Sequence, residues 1–540
     1  MRVWDMVTVN IAELEQIDKF RSLQSTLRDR WKTSELFDNS EVDILIIPSL
    51  SIDQRELQKI EGCEHYEERL LFSLMRLRNP CTRLIYVTSM PLHPSIIDYY
   101  LQLLPGIPFS QARHRLLLLS TYDASLKPLT QKILERPRLL ERIRQALRLD
   151  KAFMTCYNST FWEAELSLKL NVPLYAAAPD LQTWGTKSGS RQIFAQSAIP
   201  LPEGSELVWN SEDLATAAAD LWERQPTLKR MVLKLNEGIS GEGNALLDLR
   251  PLIDVAPGRS SHSQRVGAIS YSFFSNLRFQ ATQESWTNFS QRIPELGAIV
   301  ESYIEGETKF SPSVQGRITP DRKVEILSTH DQILGGPDGQ VYLGCRFPAD
   351  ENYRVQLQQL GLKVGKKLAE KGILERFGVD FVTVNQGNGK WDIQAIEINL
   401  RKGGTTHPFM TLKLLTNGHY DLSTGLFHSQ QGKHKYYVAT DNLQKDRYRG
   451  LLPNDLMDII AHYRLHFDSG SETGTVFHLM GCLSQFGKLG LTSIGNSPQQ
   501  AEDIYNKVVQ VLDQETRGDH NNYALFSDYA FPIAGDTSGY

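Results

Sequence analysis

Short apolar runs alternate with longer amphipathic stretches through the first third of the chain. The apolar runs have the length of buried strands, and the stretches between them repeat apolar residues at helical spacing. The predicted strands cover residues 42–48, 82–88, 115–120 and 152–156, and the predicted helices cover the first 40 residues, 67–78, 95–104, 129–149 and 160–170. This alternation predicts an open, mostly parallel α/β sheet.

A hairpin pattern stands out in the second half of the chain. Two strand-like runs, 378–384 and 396–400, flank the sequence Asn-Gln-Gly-Asn-Gly at 385–389, which is typical of a hairpin turn. A hairpin would place Asp380 on the first strand beside Glu397 on the second.

Successive side chains of a strand point to opposite faces, so Glu397, Asn399 and Arg401 are predicted to share one face. Together with Asp380, this face offers hard oxygen ligands of the kind that Mg²⁺ prefers. Charged residues that alternate along a strand are equally typical of an ordinary solvent-exposed face. The hairpin alone therefore leaves both interpretations open.

A strand at 231–235 carries Lys234 directly into a glycine-rich turn. Glycine allows backbone N–H groups to approach phosphate oxygens closely, which favours a phosphate-covering lid. The residues in this prediction are Gly238, Ser240, Gly241 and Gly243. Lys187, at the start of a predicted helix, would direct a second cation toward phosphate. The alternatives are an ordinary hairpin with a long turn and a surface lysine.

Composition narrows the class of protein. The 540 residues are 41% hydrophobic, which is enough for two to four domains. A net charge of −5 and no long apolar stretch argue against nucleic acid and membrane partners, while a homo-oligomer stays open. Five scattered cysteines and the absence of a signal-peptide pattern predict a cytoplasmic protein.

The order of these motifs resembles that of an ATP-grasp domain. Lys187, the Lys234–Gly243 segment, the Glu-Ser-Tyr-Ile sequence at 301–304, Asp380 and the Glu397/Asn399 pair follow one another in that order. The chain most resembles the pheganomycin-type peptide ligase group, on the sequences at 185–191, 397–408, 475–478 and 487–490.

The resemblance implies a multidomain protein of the α/β and α+β classes. A Rossmann-like pre-ATP-grasp domain would span 1–180, and the ATP-grasp fold 181–418, with two α+β lobes at about 181–300 and 301–418. A small C-terminal α+β module would cover 419–517 and a loose tail 518–540. The module's predicted strands are 436–440, 474–479 and 487–494, and its predicted helices are 452–462 and 497–513.

The implied function is an ATP-dependent carboxylate–amine ligase that uses Mg²⁺ and works through an acyl phosphate. Its substrates would be ATP, a small carboxylate and an amine such as an amino acid or peptide. A kinase of the same architecture and a non-catalytic nucleotide-binding protein are the alternatives.

The resemblance also implies roles for individual residues. Lys187 and Lys234 would neutralise phosphates, and Arg401, with Lys234, would act on the transferring phosphoryl group. The metal ligands would be Asp380, Glu397 and Asn399, and the ATP-binding set would add Glu301, Ser302, Tyr303 and Ile304 to the lid residues above.

Two positions depart from the family pattern. A ribose-binding glutamate is expected just after the hinge glycine, where this chain has Glu307 followed by threonine. Gly378 stands where several peptide ligases have arginine, so Arg401, with Arg346, would supply that charge. The candidate substrate residues are Arg346, Thr405, Thr406 and His407, and for these a structural loop is an equal alternative.

Overall fold

A computed structural model describes residues 11–33, 41–52, 54–104, 106–238, 243–281, 284–335, 339, 341–387 and 389–517. Ser240 and Gly241 of the predicted lid, and the predicted tail at 518–540, lie outside these ranges. The domain limits drawn from the sequence stay predictions.

The N-terminal region forms the expected parallel sheet. Its strands are β1 (Val42–Ile47), β2 (Thr82–Thr88), β3 (Leu116–Ser120) and β4 (Ala152–Cys156), in the order β3-β2-β1-β4. Its helices are α1 (Ile11–Thr33), α2 (Gln54–Leu57), α3 (Pro94–Gln102), α4 (Phe109–His114), α5 (Leu129–Leu134), α6 (Pro137–Ala146) and α7 (Phe161–Leu170), with a 3₁₀ helix at Cys63–Arg78. Strands β2 and β3 are added on one side of β1 and β4 on the other, so the strand order reverses between β1 and β4 and a crevice opens at the carboxyl ends of these two parallel strands.

One helix prediction in this region is wrong. The single helix expected over 129–149 is two helices, α5 and α6, because Pro137 lacks a backbone N–H and begins a new helix.

The next region is a small antiparallel sheet covered by helices. Its strands are β5 (Arg230–Leu235), β6 (Asn244–Asp248), β7 (Leu277–Phe279) and β8 (Ala298–Ser302), in the order β7-β6-β5-β8. Its helices are α8 (Lys187–Gln196), α9 (Ser211–Arg224), α10 (His262–Ser275) and α11 (Trp286–Leu296), with 3₁₀ helices at Pro179–Gly185 and Arg250–Val255. A separate buried cluster built around Trp222, Phe273 and Phe289 gives this lobe its own core.

The remaining strands form one large sheet. They are β9 (Lys309–Phe310), β10 (Pro312–Ile318), β11 (Val324–Gly335), β12 (Val341–Phe347), β13 (Glu375–Asn385), β14 (Trp391–Asn399), β15 (His419–Asp421), β16 (Leu426–His428), β17 (His434–Gln444), β18 (Gly474–His478) and β19 (Lys488–Gly495). The order along the sheet is β14-β13-β10-β11-β12-β17-β16-β15, with β19 pairing both β17 and β18. The strands of the predicted C-terminal module therefore extend the sheet of the second ATP-grasp lobe.

Helices cover this sheet. They are α12 (Arg354–Glu370), α13 (Thr406–Thr416), α14 (Pro453–His462), α15 (Leu483–Phe486) and α16 (Pro498–Glu515), with 3₁₀ helices at Asp446–Tyr448 and Met480–Cys482. The start predicted for α16 is confirmed, because the Ser497 hydroxyl accepts a hydrogen bond from Gln500 N and Pro498 is the first helical residue.

A shared core ties the N-terminal sheet to the C-terminal strands. One buried cluster contains Phe72 and Tyr100 from the first region together with Phe477 and Leu491 from β18 and β19. Among the described residues, no helix is both long enough and apolar enough to cross a membrane.

Candidate active site

A cavity of about 520 Å³ lies where the three sheets meet. Its walls include Lys234 and Glu301 from the small sheet, Asp380 and Glu397 from the large sheet, and Tyr157 from the N-terminal region. A cavity of this size falls in the range typical of small-molecule sites.

Glu301 organises one end of the cavity, here called the lobe end. Its carboxylate is only 2% exposed and pairs with Lys234 Nζ at 2.5 Å and with Arg191 at 2.7 Å. Burial alone would raise the pKa of Glu301, but the two neighbouring cations outweigh burial and lower it. Glu301 is therefore ionised, and both cations are already neutralised by the protein.

The hinge residues Ser302, Tyr303 and Ile304 also line the lobe end. The Tyr303 ring lies between two cations, with the Arg230 guanidinium 4.1 Å and Lys309 Nζ 4.2 Å from its centroid. These contacts fix the ring at the junction of the two lobes.

The predicted hairpin of β13 and β14 is confirmed, and it places Asp380 directly opposite Glu397. Asp380 accepts hydrogen bonds from Gln332 Nε2 at 2.7 Å and from Asn399 Nδ2 at 2.9 Å. Lys187 Nζ lies 2.5 Å from Glu397 Oε1. Burial, and secondarily the Glu397 charge, raises the pKa of Asp380 to about 7.

Arg401 completes this group from the loop after β14. Its guanidinium donates to Asn399 Oδ1, so the residue lies on the same face as Asn399 and lines the cavity. Two carboxylates and one amide oxygen in one wall form the hard oxygen donor set that suits Mg²⁺. The residues present therefore fit the ion implied by the sequence.

The described parts of the glycine-rich turn join β5 to β6. Gly238 and Gly243 stand at its two ends, and neither lines the cavity, whereas the adjoining Asn244 does. The lid role of this turn stays a prediction.

Outside the glycine-rich turn and the 405–407 segment, three predicted residues do not line the cavity: Lys187, which contacts the lining residue Glu397, and Glu307 and Arg346. Glu307 is exposed and is not part of the wall, because the chain turns outward after the hinge. Arg346 is opposite Asp331, whose carboxylate accepts from Tyr353 on the helix-covered face of the sheet. Arg346 therefore also lies on that face, where it pairs with Glu502 of α16 at 3.1 Å.

Of the three predicted substrate residues at 405–407, only Thr405 lines the main cavity. Thr406 accepts a hydrogen bond from Gly403 N and is buried. His407 is buried in the shared core, 4.0 Å from the His478 ring and hydrogen-bonded to the Tyr100 hydroxyl at 3.0 Å. His407 therefore does not line the main cavity, because α13 turns its side chain inward, but it lines a small adjoining pocket with Arg69 and Asp441. Its substrate role stays a prediction.

The opposite end of the cavity, here called the distal end, contains residues that sequence reasoning missed. They are Tyr66, Arg69, Tyr157, Asp441 and Lys488. They come from chain segments that are far apart in the sequence. Lys488 lies in the 487–490 segment on which the family resemblance rests, but no role was predicted for it. The break in strand alternation at Asp441–Asn442 is a local signal that could have pointed to this end.

Comparisons with known proteins agree with the fold. The IQCH-like ATP-grasp family matches residues 179–276 and 270–423, and the PGM1 C-terminal domain family matches residues 455–508. An L-propargylglycine–L-glutamate ligase from Streptantibioticus cattleyicolor is 29% identical over 478 residues, which cover 87% of this chain and 93% of that protein.

The IQ motif-containing protein H of Danio rerio is 22% identical over 94% of this chain but only 51% of its own length. This chain thus spans about half of that relative. A solved N5-carboxyaminoimidazole ribonucleotide synthetase in complex with ADP has a TM-score of 0.50 at 12% identity, and the match covers 89% of this chain and 99% of that one. This likeness concerns the fold alone. The matches confirm the resemblance to ATP-grasp ligases predicted from the motifs, and the ATP-grasp family model accounts for residues 179–423 of this chain.

Proposed function

We propose that this protein joins a carboxylate to an amine at the expense of ATP, through an acyl-phosphate intermediate. The ligase class predicted from the sequence is confirmed by the L-propargylglycine–L-glutamate ligase relative, whose match extends over most of both chains. The assignment of individual residues, the cytoplasmic location and the domain limits belong to the proposal.

One observation carries this proposal. A single cavity brings Lys234, an oxygen donor set, Arg401 and a second polar end together, and Lys187 contacts this donor set through Glu397. Carboxylate and triphosphate repel one another in water, so their reaction requires positive charge in a partly dry site. The cavity wall supplies that charge and leaves room for a further reactant.

Lys187 and Lys234 are suited to hold the phosphates of ATP, because Lys234 lies in the wall, Lys187 contacts the wall residue Glu397, and each has a carboxylate partner that it can exchange for phosphate. The hinge at 302–304 would receive the adenine. Arg401 would hold the phosphoryl oxygens and the acyl phosphate in its planar fork. Each of these groups acts by binding and orientation, which is how phosphoryl transfer is mostly catalysed.

Asp380, Glu397 and Asn399 would hold Mg²⁺. When bound, the ion would supply positive charge between the phosphates. Gly378 lies opposite Asn399 and has no side chain, so no second arginine enters the wall from that position. Arg401 is therefore assigned the whole role that was divided between Arg401 and Arg346 in the sequence-based hypothesis.

The test is ADP and phosphate release by the wild-type protein with ATP, Mg²⁺ and a panel of acid and amine pairs. A ligase releases ADP and phosphate in equal amounts, and only when both substrates are present. ADP without phosphate would favour the kinase alternative, and no ADP with any pair would favour a nucleotide-binding protein. ADP release that needs no amine would contradict ligation.

A further inference from the structure

The distal end of the cavity is built from three remote parts of the fold. Tyr66 and Arg69 come from the 3₁₀ helix at Cys63–Arg78, Tyr157 follows β4, and Asp441 and Lys488 belong to β17 and β19. Tyr157 lies at the crevice between the carboxyl ends of β1 and β4. Open α/β sheets bind ligands at such a reversal point.

Lys488 is a buried cation without a carboxylate partner. It is 4% exposed, and its Nζ donates to the Tyr66 hydroxyl at 2.8 Å. Among the described residues, no carboxylate oxygen lies within 4.0 Å of Nζ. Burying an ammonium group is costly, and burial lowers the pKa of Lys488 although the charges of Asp441 and Glu61 act in the opposite direction.

Arg69 also lines the distal end of the cavity. Its guanidinium packs 3.8 Å from the centre of the Tyr66 ring, donates to the Tyr157 hydroxyl at 2.9 Å and pairs with Asp441. Its buried Nε has no acceptor among the described residues. A guanidinium group that is fixed by these contacts can donate parallel hydrogen bonds to a planar acceptor such as a carboxylate.

The backbone also departs from regular pairing here. The β17–β19 ladder is interrupted between Thr440 and Leu443, so Asp441 and Asn442 form a bulge. Bulges redirect side chains and occur often next to functional sites. This bulge turns Asp441 into the cavity, where it orients Arg69.

Ion pairing separates the two ends. At the lobe end, Lys187 pairs with Glu397, and Lys234 and Arg191 both pair with Glu301. At the distal end, Arg69 pairs with Asp441, Glu61 accepts from Gln444 Nε2 at 2.6 Å, and Lys488 donates to the Tyr66 hydroxyl. Among the described residues, Lys488 is therefore a cavity cation that has no carboxylate within ion-pair distance.

We propose that Arg69 and Lys488 bind a carboxylate of the amine substrate, one that is not phosphorylated. This assignment rests on the proposed ligase function, because the carboxylate to be activated must lie beside Arg401 and the metal ligands. The amine substrate is then an α-amino acid or a short peptide with a free C-terminal carboxylate. Amines without a carboxylate are poor substrates.

Binding is tested by titrating each L-amino acid, and then the amide of the tightest binder, into the wild-type protein. The titrations are run with Mg²⁺ and a non-hydrolysable ATP analogue, and again without them. The acid is expected to bind roughly 10- to 100-fold more tightly than its amide, which is the effect of one charged hydrogen-bonded contact. Equal binding of acid and amide, or no binding of any amino acid in either condition, overturns the proposal.

Variants locate the carboxylate. Arg69→Gln and Lys488→Gln are expected to remove the preference for the acid, and Arg69→Lys to retain part of it. The matched controls are Arg83→Gln and Lys445→Gln, whose side chains are paired with Asp43 and Asp513 outside the cavity. Melting temperatures check that the variants fold, and an unchanged acid preference in both folded glutamine variants contradicts the proposal.

The titrations and the ADP assay together distinguish a failure of the ligase proposal from a failure of the carboxylate site. Amino acids that bind with the acid preference while no acid and amine pair releases ADP would leave the carboxylate site in place and overturn ligation. ADP release that depends on an amine, but not on whether that amine carries a carboxylate, would support ligation and overturn the carboxylate site.

Discussion

The two ends of the cavity differ in how their charges are satisfied. At the lobe end, Lys187, Lys234 and Arg191 each have a carboxylate of the protein within 2.7 Å. At the distal end, Arg69 pairs with Asp441, and the buried Lys488 has no carboxylate within ion-pair distance among the described residues. When a ligand binds, the cations of the lobe end must exchange a carboxylate of the protein for the ligand. Lys488 at the distal end can bind an anion without losing a carboxylate partner.

This difference has a consequence for nucleotide binding. Triphosphate entering the lobe end meets Glu301, Glu397 and Asp380 as well as the lysines. Like charges at short range repel strongly in a partly dry site. A divalent cation that offsets those carboxylates is therefore expected to be required for tight ATP binding.

The largest expected effect is that of Glu397→Ala. This change removes a proposed metal ligand and the partner of Lys187, and loss of several kcal/mol of charge stabilisation corresponds to a rate decrease of roughly 100- to 1,000-fold. ADP release in the presence of acid and amine is the measurement. Glu370→Ala, at an exposed position of α12, is the matched control. Retention of more than a tenth of the wild-type rate would remove Glu397 from the site.

Lys234→Ala is expected to weaken ATP binding roughly 10- to 100-fold, because one charged contact to phosphate is lost. The fold is expected to survive, since Arg191 still pairs with Glu301. Titration calorimetry with ATP and Mg²⁺ measures the change, with Lys390→Ala in the β13–β14 turn as the control. Unchanged affinity would place the phosphates elsewhere.

Acid pH is expected to destabilise the protein through the histidines beneath the distal end. Burial lowers the pKa of His478 to about 3 and that of His407 well below its usual value, so both are neutral in the folded protein. In the unfolded chain they gain protons below about pH 6.5, so stability is full above that pH and is lost as the pH falls toward 3. Each histidine contributes a loss of about 1.4 kcal/mol per pH unit within this range.

Melting temperatures of the wild type and of His478→Gln at pH 7.5 and 5.5 test this effect. The wild type should lose more stability than the variant between the two values. An equal loss would mean that His478 binds a proton as readily in the folded protein as in the unfolded chain, and Arg69 and Lys488 would then not be the only positive charges near the distal end.

The smallest effect is expected for Arg346→Ala. The side chain is 53% exposed and pairs with Glu502 on the helix-covered face, and such surface pairs contribute at most about 1 kcal/mol. ADP release should stay within about twofold of wild type. A loss as large as that of Lys234→Ala would restore Arg346 to the substrate site.

The sequence predicted the lobe end well because its groups lie on contiguous strands. Alternation along β14 places Glu397 and Asn399 on one face, and the hairpin turn sets Asp380 opposite Glu397. In a regular strand, the spacing of two residues along the sequence determines whether their side chains lie on the same face. The parallel N-terminal sheet was predictable for the same reason.

The errors have local physical causes. Pro137 divides a helix that hydrophobic periodicity alone would continue. The placement of Arg346 depends on which face of β12 meets helix α16, and no local pattern encodes that face. His407 lies in the first turn of α13, after a glycine-containing loop, and its side chain is buried. The spacing of apolar residues did not indicate this burial.

The distal end was not predictable because it is a tertiary contact. Arg69 and Asp441 lie 372 positions apart, and Tyr66 and Lys488 lie 422 positions apart. Neither pair has a spacing rule, and the joining of the C-terminal strands to the large sheet is what brings them together.

The most direct test of the two-ended cavity is a crossed titration. ATP with Mg²⁺, and separately the tightest-binding amino acid, are titrated into folded Lys234→Ala and Arg69→Gln. The account predicts that Lys234→Ala loses affinity for ATP and keeps it for the amino acid, while Arg69→Gln does the opposite. If both variants lose the same ligand, or neither loses any, the division of the cavity into a nucleotide end and a carboxylate-binding end is contradicted.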